Sequence, residues 1–426
     1  MRVLVLGGGG REHAIVNALA RSPSEPDLLA APGNPGIAAL AECLPELDPV
    51  DVPAVVEAAL VNEVDLVVVG PEAPLVAGVV DGLEAAGVKA FGPRAAAARL
   101  EGSKAFAKQV MEAAGVPTAG YRVVDDAVTA AAVLDGWDFP VVLKADGLAA
   151  GKGVLICPDR EAADRALDVF FSEKRFGETE VLIEEFLEGE ELSLLAICDG
   201  ERAIPLAPAR DFKRIGDGDT GPNTGGMGSF SPVPGVDPGE VGRLSAAVHH
   251  PVIEYMASLG EPFHGILYAG LMMTAGGPKV LEYNVRFGDP ETQAVLPRLE
   301  SDILELFLAA SEPGGLDGAK IAFSDEWAVT VVLASAGYPE SSSSGDPISG
   351  LEEAAGLAEV VHAGTALEGD LVVTGGGRVL NLTGLGPDPA TARRRAYDAA
   401  EAVRFEGRQM RTDIATGIDG VAGDAT

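Results

Sequence analysis

Cysteine is scarce: Cys43, Cys157 and Cys198 are the three in the chain. An odd number with no CxxC or CxxH spacing excludes a disulfide framework and a cysteine-based zinc site, and it fits a reducing cytoplasm. Lysine is scarce as well, nine residues among 31 basic ones, against 65 acidic residues and a formal net charge of -34. That balance argues against nucleic-acid and anionic-membrane partners. Few lysines under a large acidic excess is also the halophilic surface expected where concentrated salt screens charge within a few ångströms. Long apolar runs are missing: none reaches about eighteen residues. The N-terminal MRVLVL passes into glycines rather than into a signal-peptide core and cleavage site. A soluble protein without a targeting segment is expected.

What is present is ample for folding. A chain of 426 residues, 47% of them hydrophobic, has room for roughly two to four domains with real cores. In so acidic a chain a phosphorylated substrate is repelled unless cations are gathered locally. Lys104, Lys144, Lys152 and Lys213, each in or beside a glycine-rich or turn-rich segment, are therefore read as functional lysines.

RVLVLGGGGREHAIVNALARS reads as a buried strand, a glycine turn and a helix, the opening of a doubly wound parallel sheet. VDLVVVGPEAPLVAGVVDGLEAAGV repeats that grammar, and FGPRAAAARLEGSKAF leads into a helix with Lys104 and Lys108 on one face. After Val116 the pattern changes to hairpins: FPVVLKADGLAAGKGVLICPD, a turn at Asp199-Gly200, and a strand pair turning at Gly276-Gly277. That is α+β grammar. Beyond the helical SDILELFLAASE and the loop SSSSGDP, short strands and one helix, TARRRAYDAAEAVRF, make a smaller C-terminal domain.

Several stretches carry chemistry. LGGGGREH lacks the dinucleotide fingerprint, because Glu12 stands where the third glycine belongs; a plain tight turn, or a phosphate over the helix N-terminus helped by Arg11, both remain open. KADGLAAGKGV offers backbone N–H groups without Cβ hindrance, flanked by Lys144 and Lys152, as a phosphate loop needs. In IEEFLEGEELS, Glu184 and Glu191 bracket the apolar Phe186-Leu187 step, which suits a purine slot. In VLEYN, Glu282 and Asn284 share one strand face and Tyr283 takes the other; a carboxylate and an amide oxygen so placed suit Mg²⁺. DTGPNTGGMGSF (219–230) shows no helical or strand period and reads as a linker or as a loop touching an anionic substrate. His249 and His250, adjacent and facing apart, are read as structural.

Taken together, GGREHA, APGNPG, VVVGPEAPLVAGVVD, LEGSKAFAK, LKADGLAAGKGV, IEEFLEGEE, DTGPNTGGMGSFSP, LYAGLM, LEYNVRFGDPETQ, HAGT and GGRVLNLTGLG occur in order along the chain. They resemble one family closely, the ATP-grasp ligases, and within them the phosphoribosylamine–glycine ligases of purine biosynthesis. The resemblance implies an α/β and α+β multidomain fold with three parts. These are an N-terminal Rossmann-like domain (1–102), an ATP-grasp module (103–325) with a mobile lobe at about 117–190, and a small C-terminal α+β domain (326–426).

The resemblance also implies ATP with Mg²⁺ or Mn²⁺, glycine and 5-phosphoribosylamine as small-molecule substrates, and a cytoplasmic monomer or small homo-oligomer. By motif, Lys104 and Lys144 resemble phosphate-side contacts, with Gly151, Lys152 and Gly153 in a loop closing over ATP. Glu184, Glu185, Phe186 and Leu187 resemble the adenine hinge, Glu191 the ribose acceptor, and Glu282 and Asn284 the metal ligands. Arg286, Lys213, Asn223, Thr224 and Gly226 are implied on the catalytic side. Gly8, Gly9, Arg11, Asn34, Pro71, Glu72 and Asp211 are implied around the substrates. The chain departs from the family pattern at LYAGLMM, which has no acidic metal ligand, and at Phe212, where relatives tend to carry histidine. An ATP-grasp ligase of another carboxylate and a non-catalytic nucleotide-binding protein are the alternatives.

Overall fold

The structure, a computed structural model, describes residues 1–148 and 153–418. Five parallel strands open it, in the order Glu42–Cys43, Asp27–Pro32, Arg2–Gly7, Leu66–Val69, Lys89–Phe91. The unbroken apolar runs arise because both sheet faces are covered. Leu4, Leu6 and Val67 enter one core, while Val3, Val5 and Val68 enter another. The strand order reverses at Arg2–Gly7, so the carboxyl ends of Arg2–Gly7 and Leu66–Val69 flank a crevice of the kind in which open α/β sheets take ligands. Helices Gly10–Ala20 and Glu72–Val76 start at that crevice. One face is covered from far along the chain: helix Ile303–Ala310 places Phe307 in a stack on Phe91, with ring centroids 4.1 Å apart.

The next sheet is a small antiparallel lobe, ordered Tyr121–Val124, Val181–Glu185, Val141–Ala145, Val154–Cys157. It has its own core, in which Leu134, Leu143, Phe170 and Ile183 meet under helices Ala127–Leu134 and Arg160–Leu167. Facing it is a second antiparallel sheet, ordered Ala203–Pro205, Glu190–Asp199, His264–Thr274, Gly277–Asn284. The hairpin turn falls one residue earlier than expected, since Gly277 already pairs with Thr274 as the first residue of its strand.

The last sheet runs Arg210–Asp211, Gly228–Ser231, Trp327–Ala334, Arg378–Gly386, Glu359–His362. It corrects two expectations. The 219–230 stretch is not free of strand: Thr220–Asn223 forms a ribbon with Arg214–Gly216, and Gly228–Ser231 is a fully buried strand paired on both sides. Its glycine content hid it. Gly228 is needed for contact rather than flexibility, because a Cβ there would lie 2.6 Å from the Thr330 carbonyl oxygen. The C-terminal region also holds a second helix, Leu351–Ala355, too short to give a periodic signal. All three cysteines are free thiols, and no helix among the described residues is long and apolar enough to cross a membrane.

Three histidines are packed as neutral rings. His13 accepts at Nδ1 from the His362 backbone N–H (2.8 Å), tying helix Gly10–Ala20 to the last sheet. His249 is fully buried beside Ser245, with Nδ1 and Oγ 3.1 Å apart. Burial pushes His13 and His249 down to about 3 and His362 to about 4. Each folded value lies below the unfolded one. The stability these rings provide is therefore complete above pH ~6.5 and is lost as pH falls to about 4 for His362 and about 3 for His13 and His249. Between those limits each imidazole contributes a slope of up to about 1.4 kcal/mol per pH unit. Urea unfolding at pH 7, 6 and 5 should show a shallower pH dependence in His13→Gln and His249→Gln than in the parent. An identical slope in all three proteins would refute the assignment.

Candidate active site

The site grows from a helix start. Ser103 caps helix Lys104–Ala113 by accepting from Phe106 N (3.1 Å), and Asp146, at the end of the lobe strand Val141–Ala145, accepts from Ser103 Oγ (3.0 Å) and Ala105 N (3.1 Å). The cap thereby locks the helix to the glycine loop. Lys104 Nζ donates to the Gly147 carbonyl at 2.7 Å. One turn on, Lys108 Nζ reaches Thr118 Oγ1 (2.6 Å) and Glu184 Oε2 (3.3 Å); Lys144 Nζ approaches the same Glu184 oxygen at 3.0 Å. Burial lowers Lys108 to about 8 against the pull of Glu184.

Opposite the lobe, strand Gly277–Asn284 presents Glu282 and Asn284, and the chain turns at once into Arg286. Its guanidinium is held four ways: Nε to Glu72 Oε2 (3.3 Å), Nη1 to the Phe287 carbonyl (3.1 Å), and Nη2 to Glu101 Oε1 (2.8 Å) and Asn284 Oδ1 (3.2 Å). Glu101 uses its other oxygen on the Val285 N–H at 2.7 Å. Burial works against the Glu72 charge, but Arg286 and Arg11 together hold its carboxyl below the ordinary value.

A third cluster sits beside the 219–230 segment. Lys213 Nζ lies between Glu191 Oε2 (2.7 Å) and Asp211 Oδ1 (2.9 Å). Burial pushes Asp211 up to about 7, and the neighbouring Glu291 and Glu191 add to the shift against Lys213. Glu291 accepts from Ser193 Oγ and Tyr268 Oη, both at 3.0 Å.

These clusters line one cleft of about 510 Å³. Arg286, Lys213, Asn223, Thr224, Lys104, Lys144, Gly153, Glu184, Glu185, Phe186, Leu187, Glu191, Arg11, Glu72, Asp211, Glu282 and Asn284 all lie on its wall. Gly151 and Lys152 fall outside the described residues. Gly8, Gly9, Asn34, Pro71 and Gly226 are not among its lining residues; Gly8, Gly9 and Pro71 are partly exposed, and Asn34 and Gly226 are buried. Asn34 has spent its amide, donating to the Gly8 and His362 carbonyls and accepting from Gly36 and Ile37 N–H. Gly8 lets two chains touch, since its Cβ would meet the Gly33 oxygen at 2.4 Å; Gly226 does the same against Pro290. Pro71 starts helix Glu72–Val76. Glu184, expected at the adenine edge, gives Oε2 to both Lys108 and Lys144, while its buried Oε1 has no partner among the described residues.

Glu101, Tyr268, Asp289, Glu291 and Arg378 also line the cleft and were not singled out from the sequence. All five stand inside motifs named above, Glu101 in LEGSKAFAK and Tyr268 in LYAGLM, but nothing in those motifs says that Glu101 meets Arg286. Among the described lining residues, seven Lys and Arg face nine Asp and Glu. Side chains alone therefore do not balance a polyphosphate. A divalent cation fits the donor set. The Glu282 carboxylate makes no hydrogen bond or ion pair among the described residues, Asn284 Oδ1 keeps one lone pair, and hard oxygens few in number are what Mg²⁺ takes beside phosphates.

A slot between an antiparallel lobe and a second antiparallel sheet, with lysines on one side and a Glu/Asn pair on the other, defines an ATP-grasp enzyme. Family models for the N domain, the ATP-grasp (A) domain and the C domain of phosphoribosylglycinamide synthetase match residues 1–101, 102–292 and 328–417. The chain is 50% identical over 419 residues to the phosphoribosylamine–glycine ligase of Streptomyces coelicolor, covering 97% of this chain and 99% of that one. It is 49% identical to that of Mesorhizobium japonicum, covering 97% of each. The crystal structure of the Thermotoga maritima ligase superposes with a TM-score of 0.85 at 36% identity, covering 97% of this chain and 100% of that one. The biotin carboxylase domain of the Hydrogenobacter thermophilus 2-oxoglutarate carboxylase shares the fold, with a TM-score of 0.72 at 18% identity over 96% and 91% of the two chains. The chain belongs to the phosphoribosylglycinamide synthetase family, the phosphoribosylamine–glycine ligases.

Glu101 is the residue on which the Arg286 geometry turns. Replacing it by glutamine keeps its shape and removes a charge-assisted bond of about 1.5–3 kcal/mol. Glu101→Gln should lower kcat about 10- to 100-fold with circular dichroism unchanged. A kcat within twofold of the parent would count against Arg286 needing that anchor.

Proposed function

We propose that the chain joins glycine to 5-phosphoribosylamine at the expense of ATP, giving glycinamide ribonucleotide, ADP and phosphate. The observation that carries this is the single cleft in which Lys104, Lys144, Glu282, Asn284, Arg286 and the 223–225 loop all take part. A glycine carboxylate is a poor electrophile because its leaving group would be oxide. When its oxygen attacks the γ-phosphorus, the bond to ADP breaks and glycyl phosphate forms. The sugar amine nitrogen then attacks the acyl carbon, the C–O bond to phosphate breaks, and the amine proton passes to phosphate or solvent. The protein's part is positioning and charge stabilisation.

In this scheme Lys104 and Lys144 meet the nucleotide phosphates, and Glu191 meets the ribose. The backbone of Glu185, Phe186 and Leu187 reads adenine. Glu282 and Asn284 would hold magnesium or manganese, which when bound neutralises phosphate charge. Arg286, with one N–H of its five left over, lends a fixed field at the transferring group. Lys213 and the loop residues Asn223 and Thr224 face the amino-acid and sugar substrates. Arg11 and Glu72 stand at the parallel-sheet crevice, where a phosphoribosyl group meets the start of helix Gly10–Ala20. The free thiols and the acidic, lysine-poor surface support a cytoplasmic setting rich in salt.

The test is phosphate release from ATP and Mg²⁺ in concentrated potassium chloride, with glycine and with phosphoribosylamine formed in the cuvette from ribose 5-phosphate and ammonia. Release that requires both co-substrates is expected. Release with another carboxylate in place of glycine would overturn the substrate assignment while leaving the ATP-grasp site intact.

A further inference from the structure

The ribbon that carries the substrate-loop residues cannot stand by itself. Among the described residues, strands Arg214–Gly216 and Thr220–Asn223 pair only with each other, and every residue of Thr220–Asn223 is exposed. A lone two-stranded hairpin with no buried apolar face is marginal in water. Its tip is instead held from the far end of the chain. Thr412 N donates to Asp217 Oδ1 (2.8 Å), and Thr412 Oγ1 bonds the other oxygen. Gly218 N donates to Asp413 Oδ2 at 2.8 Å. Arg411 Nη1 donates to Asp219 Oδ1 at 2.7 Å. Three consecutive tail residues thus bind three consecutive turn residues, of which Gly218 and Asp219 have positive φ.

Arg411 is the centre of this clasp. Its side chain is 1% exposed, forked onto Asp413 through Nε (2.7 Å) and Nη2 (2.6 Å). It also touches both neighbours of Lys213: Nη1 donates to the Arg214 carbonyl at 3.2 Å, and the guanidinium lies 4.9 Å over the Phe212 ring. The Lys213 carbonyl in turn accepts from Thr224 N (2.7 Å) and Thr224 Oγ1 (2.8 Å). The tail is itself anchored to helix Pro389–Ala402, where Arg393 Nη2 donates to the Thr412 carbonyl (2.6 Å) and Tyr397 Oη to the Arg411 carbonyl (3.0 Å).

We propose that Arg411 is a positioning residue for the substrate loop, setting Lys213 and Thr224 in the cleft from behind while remaining outside it. A guanidinium is suited to the task because its planar fork binds Asp413, Asp219 and a carbonyl together, which an ammonium does not. The role rests on the cleft assignment above.

Displacement of a reacting-site group by about 1 Å can cost about 100-fold in rate. Arg411→Gln should therefore lower kcat/KM for glycine and phosphoribosylamine about 10- to 100-fold. Affinity for a non-hydrolysable ATP analogue should stay within twofold, and Arg411→Lys should recover only part of the loss. Amide exchange at 218–223 should accelerate. Asp219 is largely exposed, so Asp219→Asn, which loosens the clasp without a buried change, should show the same split in smaller measure if Arg411→Gln does not fold. Unchanged kinetics alongside faster loop exchange, or equal losses in nucleotide and substrate affinity, would overturn the proposal. Should the chain ligate another carboxylate, the exchange and nucleotide arms read the same and the kinetic arm uses that substrate.

Discussion

A guanidinium largely withdrawn from water is stable only where carboxylates are brought to it, and Arg286, with its side chain 17% exposed, sets that requirement at the middle of the molecule. Its anchors come from three places: Glu72 at the end of the parallel sheet, Glu101 on helix Ala95–Gly102, and Asn284 on its own strand. Leaving such a charge unpaired costs about 3–5 kcal/mol, a large part of a domain's stability. Docking of the N-terminal sheet, that helix and the second antiparallel sheet is therefore also completion of the site. Assembly and preorganisation answer to one constraint.

The same rule recurs at Lys213, between Asp211 and Glu191, and at Glu184, between Lys108 and Lys144. At these points of the cleft a charged side chain is fixed by neighbours of opposite sign, while Glu291 is held by hydroxyls and Lys104 by a backbone carbonyl. This differs from the expectation of a gathered positive patch. With nine acidic residues against seven basic ones on the described wall, the cleft offers oriented donors and hard oxygen ligands rather than net positive charge. Under the proposed function, a cation brought with the nucleotide would meet the phosphate charge, which fits a Glu282 carboxylate without a partner among the described residues.

Local patterns were legible and long-range pairings were not. The strand–turn–helix opening, the lobe hairpin around the glycine loop and the Glu282/Asn284 face depend on neighbours a few residues away, and periodicity reports them. Glu101 binds Arg286 across 185 positions, and helix Ile303–Ala310 covers a sheet formed near the N-terminus. No window of sequence contains both partners. Motif membership does not by itself say what a residue touches. Asn34 and Gly8 sit in quoted stretches, yet one saturates its amide on backbone groups and the other permits chain contact.

The glycines of 219–230 show why composition misleads about motion. Glycine there first reads as freedom, as in a linker. In place, a Cβ on Gly225 would lie 3.0 Å from the Arg378 Cζ, one on Gly226 would lie 2.4 Å from Pro290 Cδ, and one on Gly228 would strike the Thr330 oxygen. Arg378 Nη1 also donates to the Gly225 and Asp289 carbonyls, both at 2.7 Å. These glycines are small because the surroundings are crowded. A segment clamped by Arg378 on one side and by the Arg411 clasp on the other begins the reaction ordered. If Lys213 and Thr224 act as proposed, the entropy of fixing them is met during folding rather than in each catalytic cycle.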